Sequence, residues 1–173
     1  MTAAVSMLPA YVQRFFTERL AGQRSASPNT IASYRDTFRL LLRFVQAETG
    51  KAPTDLALAD LDPERIGRFL THLEEERGNG ARSRNVRLAA IRSFFRYVSI
   101  NEPQLLHQCQ RILAIPAKRH ERRQIAWLTP DETAALIDAP DRTNRTGRRD
   151  RAILTVMAQT GLRVSELIGL KIG

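Results

Sequence analysis

The residues best placed for chemistry lie near the end of the chain, in Gln159-Thr160-Gly161-Leu162-Arg163-Val164-Ser165-Glu166-Leu167-Ile168-Gly169-Leu170. A helical pattern runs up to Thr160. Gly161 can end it, because glycine takes the left-handed conformation without steric cost. A short helix is expected to start at once, with Arg163 in its first turn. Val164, Leu167 and Ile168 would give it a buried face at i, i+3, i+4 spacing. Arg163 would then stand beside backbone N–H groups that lack an intrahelical partner, a position that welcomes an anion. The chemistry on offer is phosphate binding. On spacing alone, an arginine in a surface helix is the commoner explanation in a chain with 24 Arg.

Two further sets of cations have a pattern. Arg35, Arg39 and Arg43 recur at i, i+4, i+8, along one side of a predicted helix. Taken alone, that stripe reads as a solvated face. The second set is Arg82, Arg84, Arg87, Arg92 and Arg96, in a predicted helix with no acid between Ala81 and Ile100. Uncompensated like charges on one helix repel each other, so this helix is expected to meet an anion. Asn85 and Arg92 lie on its polar arc, and Asn suits adenine while Arg suits guanine. Arg87 falls within the apolar arc and must sit at the helix edge or be paired. Phosphate contacts are expected of Arg35, Arg39, Arg43, Arg87 and Arg96, and of Lys118 and Arg119 further on. The formal net charge of +9 and sequence pI near 10.9 favour polyanions, meaning nucleic acid or an anionic membrane surface. Arginine's planar fork suits phosphate and guanine better than lysine does, and Lys numbers only three.

Other chemistries lack their residues. Cys109 is the single cysteine, which excludes a disulfide framework and a thiolate metal site. His72, His107 and His120 lack ligand spacing. There is no Gly-rich phosphate loop and no Ser/His/Asp or Cys/His constellation, so no metal and no cofactor is expected. No stretch approaches the roughly 18 apolar residues of a membrane span, and no signal peptide is read at the N-terminus. A cytoplasmic protein is expected.

The elements that would carry these residues are helices. Pro9 to Leu20 is amphipathic, with Tyr11, Val12, Phe15, Phe16 and Leu20 as its apolar set. Ser27-Pro28 is a cap followed by Pro at N1, and the helix it opens runs to Thr49, where Gly50 closes it. Ile31, Tyr34, Phe38, Leu41, Leu42 and Val45 share its apolar side. Asp62-Pro63 starts a third helix to Arg77, with Ile66, Phe69, Leu70 and Leu73 inside. The arginine-rich fourth helix spans Ser83 to Ile100, with Leu88, Ile91, Phe94, Phe95 and Val98 as its apolar arc. A fifth runs from Pro103 to Leu113. Composition then shifts to a basic stretch with no apolar period, including Lys118, Arg119, Arg122 and Arg123. Thr129-Pro130-Asp131-Glu132 is a capping box opening a helix to Asp138, and Arg148 to Thr160 forms another. Leu170 to Gly173 has the look of a strand. The expected architecture is mainly α. Its parts are a helical bundle over residues 1–115, a basic linker over 116–127 and a second, helical unit over 128–173.

Thr160-Gly161-Leu162-Arg163-Val164-Ser165-Glu166-Leu167 resembles the TGLRxSEL box of the tyrosine recombinases, or phage-type integrases. Asn29–Arg35 and Arg87–Tyr97 resemble two helices of that family's N-terminal SAM-like core-binding domain. Leu128–Glu132 and Arg148–Leu154 resemble the opening of its catalytic domain. These boxes occur in the family's order and cover nearly the whole chain from about Leu8. The resemblance implies that Arg163 is the first catalytic arginine and that Glu166 supports the site. It implies a reaction in which a tyrosine attacks a backbone phosphate of double-stranded DNA, without metal, to form a 3′-phosphotyrosyl bond. Fixed guanidinium groups stabilise the charge that builds on the phosphate oxygens. It also implies other recombinase protomers as partners in a synaptic complex.

The family's later catalytic residues are a lysine, a His-x-x-Arg pair, a further His or Trp, and the tyrosine. They have no counterpart in these 173 residues. His120-Glu121-Arg122-Arg123 has the form His-x-x-Arg but precedes Arg163. Tyr11, Tyr34 and Tyr97 all lie in the N-terminal part, Tyr34 on an apolar face and Tyr97 expected at a helix edge. The chain is therefore expected to be the DNA-holding portion of such an enzyme. A non-catalytic DNA-binding module, such as a truncated decoy, is the alternative. A helical interaction domain with merely solvated basic faces is a third reading.

Overall fold

The computed structural model describes residues 7–121 and 126–170. The chain divides into two compact units, residues 1–121 and 122–173. Every regular element among the described residues is helical, and the one β-bridge, Met7 with Ala57, is isolated.

In the first unit, α1 (Leu8–Arg14) continues directly as a π-helix, Phe15–Gln23. Its wider turn brings Phe15 and Leu20, five apart in sequence, both into the core. The next helix, α2 (Pro28–Thr49), starts where its cap predicts, with Ser27 Oγ accepting from the Thr30 N–H at 3.2 Å. It ends at Gly50, whose φ of 70° explains the glycine. Helix α3 (Pro63–Glu75) is capped by Asp62, which accepts from the Arg65 N–H at 2.6 Å. Helix α4 (Ala81–Asn101) begins two residues before the expected Ser83, with no side-chain cap. A short helix, α5 (Leu106–Ala114), completes the unit.

The apolar sides of these helices close on one core. Phe94 of α4 is fully buried, with its ring 5.4 Å from Phe15, 5.1 Å from Phe38 and 5.3 Å from Phe95, all edge-on. Edge-to-face packing at such separations favours aromatic pairs beyond the area they bury. Tyr34 stacks on Phe15 at 6.4 Å. Tyr97 does not sit at a helix edge as expected; it is buried in this aromatic cluster, 5.8 Å from Phe15. Cys109 is fully buried on α5, and loss of solvation pushes its thiol up to about 11.

The second unit holds α6 (Pro130–Asp138), α7 (Arg145–Thr160) and α8 (Val164–Leu167). The Thr129–Glu132 capping box forms: Thr129 Oγ1 accepts from the Glu132 N–H, and Glu132 Oε2 accepts from the Thr129 N–H at 2.8 Å. Helix α7 starts three residues earlier than expected. Asn144 caps it, accepting from the Gly147 N–H at 2.7 Å. Among the described residues of this unit only Gly147 is buried. Leu136, Val156, Val164 and Ile168 are exposed. The face expected to be buried on the last helix is therefore open at Val164 and Ile168. An apolar groove of about 430 Å³ runs between α6 and α7, lined by Trp127, Leu128, Leu136, Leu154 and Met157 among others. The strand expected over Leu170–Gly173 falls mostly on 171–173, outside the described residues, and Leu170 itself is not in a strand.

Candidate functional site

Gly161 has a φ of 69° and ends α7, and the Arg163 N–H then donates to Glu166 Oε2 at 2.8 Å. Arg163 Nη1 also donates to Glu166 Oε1 at 3.2 Å, so one carboxylate holds both the backbone and the guanidinium. Those two bonds hold Glu166 below the ordinary carboxylate range, the backbone N–H contributing most. The Arg163 side chain remains 82% exposed, so most of its fork is open to a ligand. Helix α8 has only four residues. Its dipole is correspondingly weak, and any anion here would be held by the guanidinium rather than by the helix end.

In the first unit the cations singled out by their spacing on α2 and α4 form two groups. Arg35, Arg39 and Arg43 on α2, and Arg82 and Arg96 on α4, are exposed. Between the two helices lies a cleft of about 220 Å³ lined by Ser33 and Asp36 from α2 and by Arg82, Ser83, Val86 and Arg87 from α4. Asp36 sits in it with both oxygens engaged. Arg39 Nη2 donates to Oδ1 at 3.0 Å, and Arg87 Nη1 donates to Oδ2 at 2.9 Å. Arg87 reaches Thr37 Oγ1 as well, at 3.4 Å. The apolar-arc position of Arg87 is thus resolved by pairing. The Arg87 hydrogen bond, with the Arg39 pair beside it, holds Asp36 below the ordinary carboxylate range.

The second group is turned inward. Arg84 is 7% exposed. Its Nη1 donates to the Pro116 carbonyl at 3.3 Å, and its Nε lies 3.4 Å from Glu74. Arg92 Nη2 donates to the Ile115 carbonyl. Asn85 Nδ2 donates to the Lys118 carbonyl at 2.7 Å and Asn85 Oδ1 accepts from the Lys118 N–H at 3.0 Å. Lys118 Nζ pairs with Glu74, at 2.9 and 3.0 Å from its two oxygens.

In the free chain Asn85 and Arg92 are both engaged within the protein, a placement their spacing did not announce. Bidentate reading of adenine needs a free amide oxygen as well as a free N–H. The Asn85 oxygen already accepts from Lys118 and, at 3.4 Å, from Arg84. Arg92 likewise gives a donor to a carbonyl of its own chain. Both residues tie residues 115–118 down onto α4, so the start of the expected linker is fixed to the first unit. Arg119 is exposed. Arg122 and Arg123 lie outside the described residues. Sequence periodicity missed Arg84 and Glu74 as the partners of this segment. Their contacts join positions 32 or more residues apart, and no local pattern marks them.

Among the described residues no cluster of His, Cys, Asp or Glu could hold a metal ion. No described helix is long and apolar enough to cross a membrane.

Comparison with known proteins agrees with the boxes quoted from the sequence. Residues 13–99 match the family described as phage integrase, N-terminal SAM-like domain, and residues 126–173 match the phage integrase family. The chain is 50% identical over 171 residues to y4rC of Sinorhizobium fredii, whose name carries the words integrase/recombinase; the match covers 99% of this chain and 51% of that one. It is 35% identical over 159 residues to tyrosine recombinase XerC of Pelobacter propionicus, covering 92% of this chain and 50% of the relative. Among solved structures, XerA recombinase matches with a TM-score of 0.44 at 26% identity, over 95% of this chain and 50% of that one. The chain spans about half the length of the curated relatives it matches. With the SAM-like match lying wholly within the helical first unit and the integrase match within the second, the chain belongs to the phage integrase family, that of the tyrosine recombinases.

Proposed function

We propose that the first unit holds double-stranded DNA on the outer sides of α2 and α4, and that the chain serves a site-specific recombinase. In the complete protein that enzyme cuts and rejoins DNA through a 3′-phosphotyrosyl intermediate, with other protomers in a synaptic complex. Arg163 would hold the scissile phosphate, and Glu166 would set its orientation. The supporting observation is that Arg35, Arg39, Arg43, Arg82 and Arg96 are all exposed on two packed helices, one of which has no acid over its 21 residues. Arginines so arranged meet phosphates, which supply most of the affinity and fix the register of a protein on duplex DNA.

The test is binding of the 173-residue chain to a random 30-base-pair duplex across a salt series. Affinity should fall steeply with salt. Replacing Arg39 with Ala should lower the slope by about one unit and weaken binding to every sequence alike. Binding that ignores salt would mean that these arginines only face solvent. The cytoplasm, where DNA is accessible, is the compartment this reading requires.

A further inference from the structure

We propose that Asp36 is an internal competitor for DNA phosphate: it occupies Arg39 and Arg87 in the free protein and gives them up only when a phosphate replaces it. This rests on the DNA-binding reading and adds to it a residue that limits how tightly the surface holds any duplex.

The position of Asp36 carries the argument. From Pro28 to Arg43 it is the one acid, and α4, which faces it across the cleft, has none. An acid on such a surface opposes a polyanion directly. It also neutralises two cations at once, since each of its oxygens accepts from a different arginine, at 3.0 Å and 2.9 Å. A phosphate offers the same guanidinium groups the same kind of acceptor. The carboxylate and the phosphate therefore compete for the same donors. The cleft beside the pair is open, and Ser33, Ser83 and Arg82 line it. A phosphate entering there would meet two hydroxyls and a further guanidinium.

Such a competitor acts on all sequences equally. Releasing Arg39 and Arg87 from Asp36 costs the same whichever duplex arrives. A random duplex offers only its backbone in return, whereas a cognate site adds contacts of its own. The cost cancels in the ratio of the two affinities, so Asp36 sets how tightly any duplex is held and keeps binding by the backbone alone weak. The other acid of α2, Glu48, cannot serve. It lies 12 residues further along, about 18 Å up the helix axis, and is held by Arg65 and Arg68 of α3.

The experiment compares the whole chain with Asp36→Asn and Glu48→Gln, each one negative charge fewer, on a random 30-base-pair duplex over a salt series. Asp36→Asn should bind about three- to tenfold more tightly, the range expected from freeing partly exposed pairs. Its salt slope should steepen by about one unit. Glu48→Gln should change affinity by less than half as much on a logarithmic scale. Asp36→Ala, which lacks the amide that could still bond Arg87, should match Asp36→Asn, and thermal melts of all variants report whether the fold is kept. Equal or weaker binding by both folded Asp36 variants overturns the inference and leaves the DNA reading standing. An equal gain in Glu48→Gln also overturns it, since net charge would then suffice. No binding by the unaltered chain removes the DNA reading itself, and this inference with it.

Discussion

Asn85 and Lys118 pair as two facing strand residues do, one side chain meeting both polar groups of one peptide position. The amide nitrogen gives to the Lys118 carbonyl at 2.7 Å and the amide oxygen takes from the Lys118 N–H at 3.0 Å. Each bond is worth about 0.5–1.5 kcal/mol net. Asn85→Ala should therefore speed hydrogen exchange at the Lys118 amide by about tenfold or more. Core amides such as those of Ile91 and Phe94 should keep their rates. Unchanged exchange at Lys118 would show that the pairing does not hold the segment.

Exchange should also differ between the two units. Phe94, Phe15 and Leu41 are fully buried in the first, whereas no apolar side chain is buried among the described residues of the second. Amides in α6 and α7 should exchange faster than those in the middle of α2 and α4, because local opening costs least where few apolar contacts are lost. Equal protection in both units would contradict this.

Gly147 has a steric reason to be glycine. A Cβ there would lie 1.8 Å from the Asp141 carbonyl oxygen, a backbone atom that cannot swing aside. Around it, Asp141 Oδ1 accepts from the Thr143 N–H at 2.9 Å and Oδ2 accepts from Asn144 at 2.8 Å. Gly147→Ala should destabilise the second unit by about 1–3 kcal/mol, the usual cost of overpacking. Loss of amide protection in the first turn of α7, with α2 unaffected, is the expected signature.

The Glu166 carboxyl should titrate below its ordinary value of 4.5, since the charged form accepts from the Arg163 backbone and guanidinium. A carboxyl with a depressed folded value contributes stability above its unfolded value and loses it as pH falls through the folded one. The turn at Arg163 should thus be intact at pH 5 and come apart in the acid range below the ordinary value. Following the Arg163 amide by NMR against pH measures this. A midpoint at or above 4.5 would show that Glu166 does not cap the turn.

Local signals were legible because each acts over a few residues. Ser27-Pro28, Asp62-Pro63 and Thr129-Pro130 all open helices, and Gly50 and Gly161 end them with φ near 70°. The apolar arc of α4 also told its side of the core. The fate of the α4 arginines was not legible. Charge spacing treats Arg84, Arg92 and Arg96 alike, yet only Arg96 of the three is exposed. The other two meet carbonyls in residues 115–116, and the direction of a guanidinium toward a distant carbonyl has no periodic trace. Tyr97 went astray for a related reason: its ring neighbour Phe15 lies on another helix, far away in sequence, and no spacing within α4 announces that contact.

The buried thiol of Cys109 has a practical side. A group titrating at about 11 is roughly one part in ten thousand thiolate at neutral pH, and only the thiolate reacts readily. Maleimide reagents should pass it by in the folded protein. A cysteine introduced at exposed Thr54 in the first unit, or at exposed Ala134 in the second, would then be the one site a fluorophore or spin label finds. The native sulfur can stay in place, and either unit can be tracked on its own.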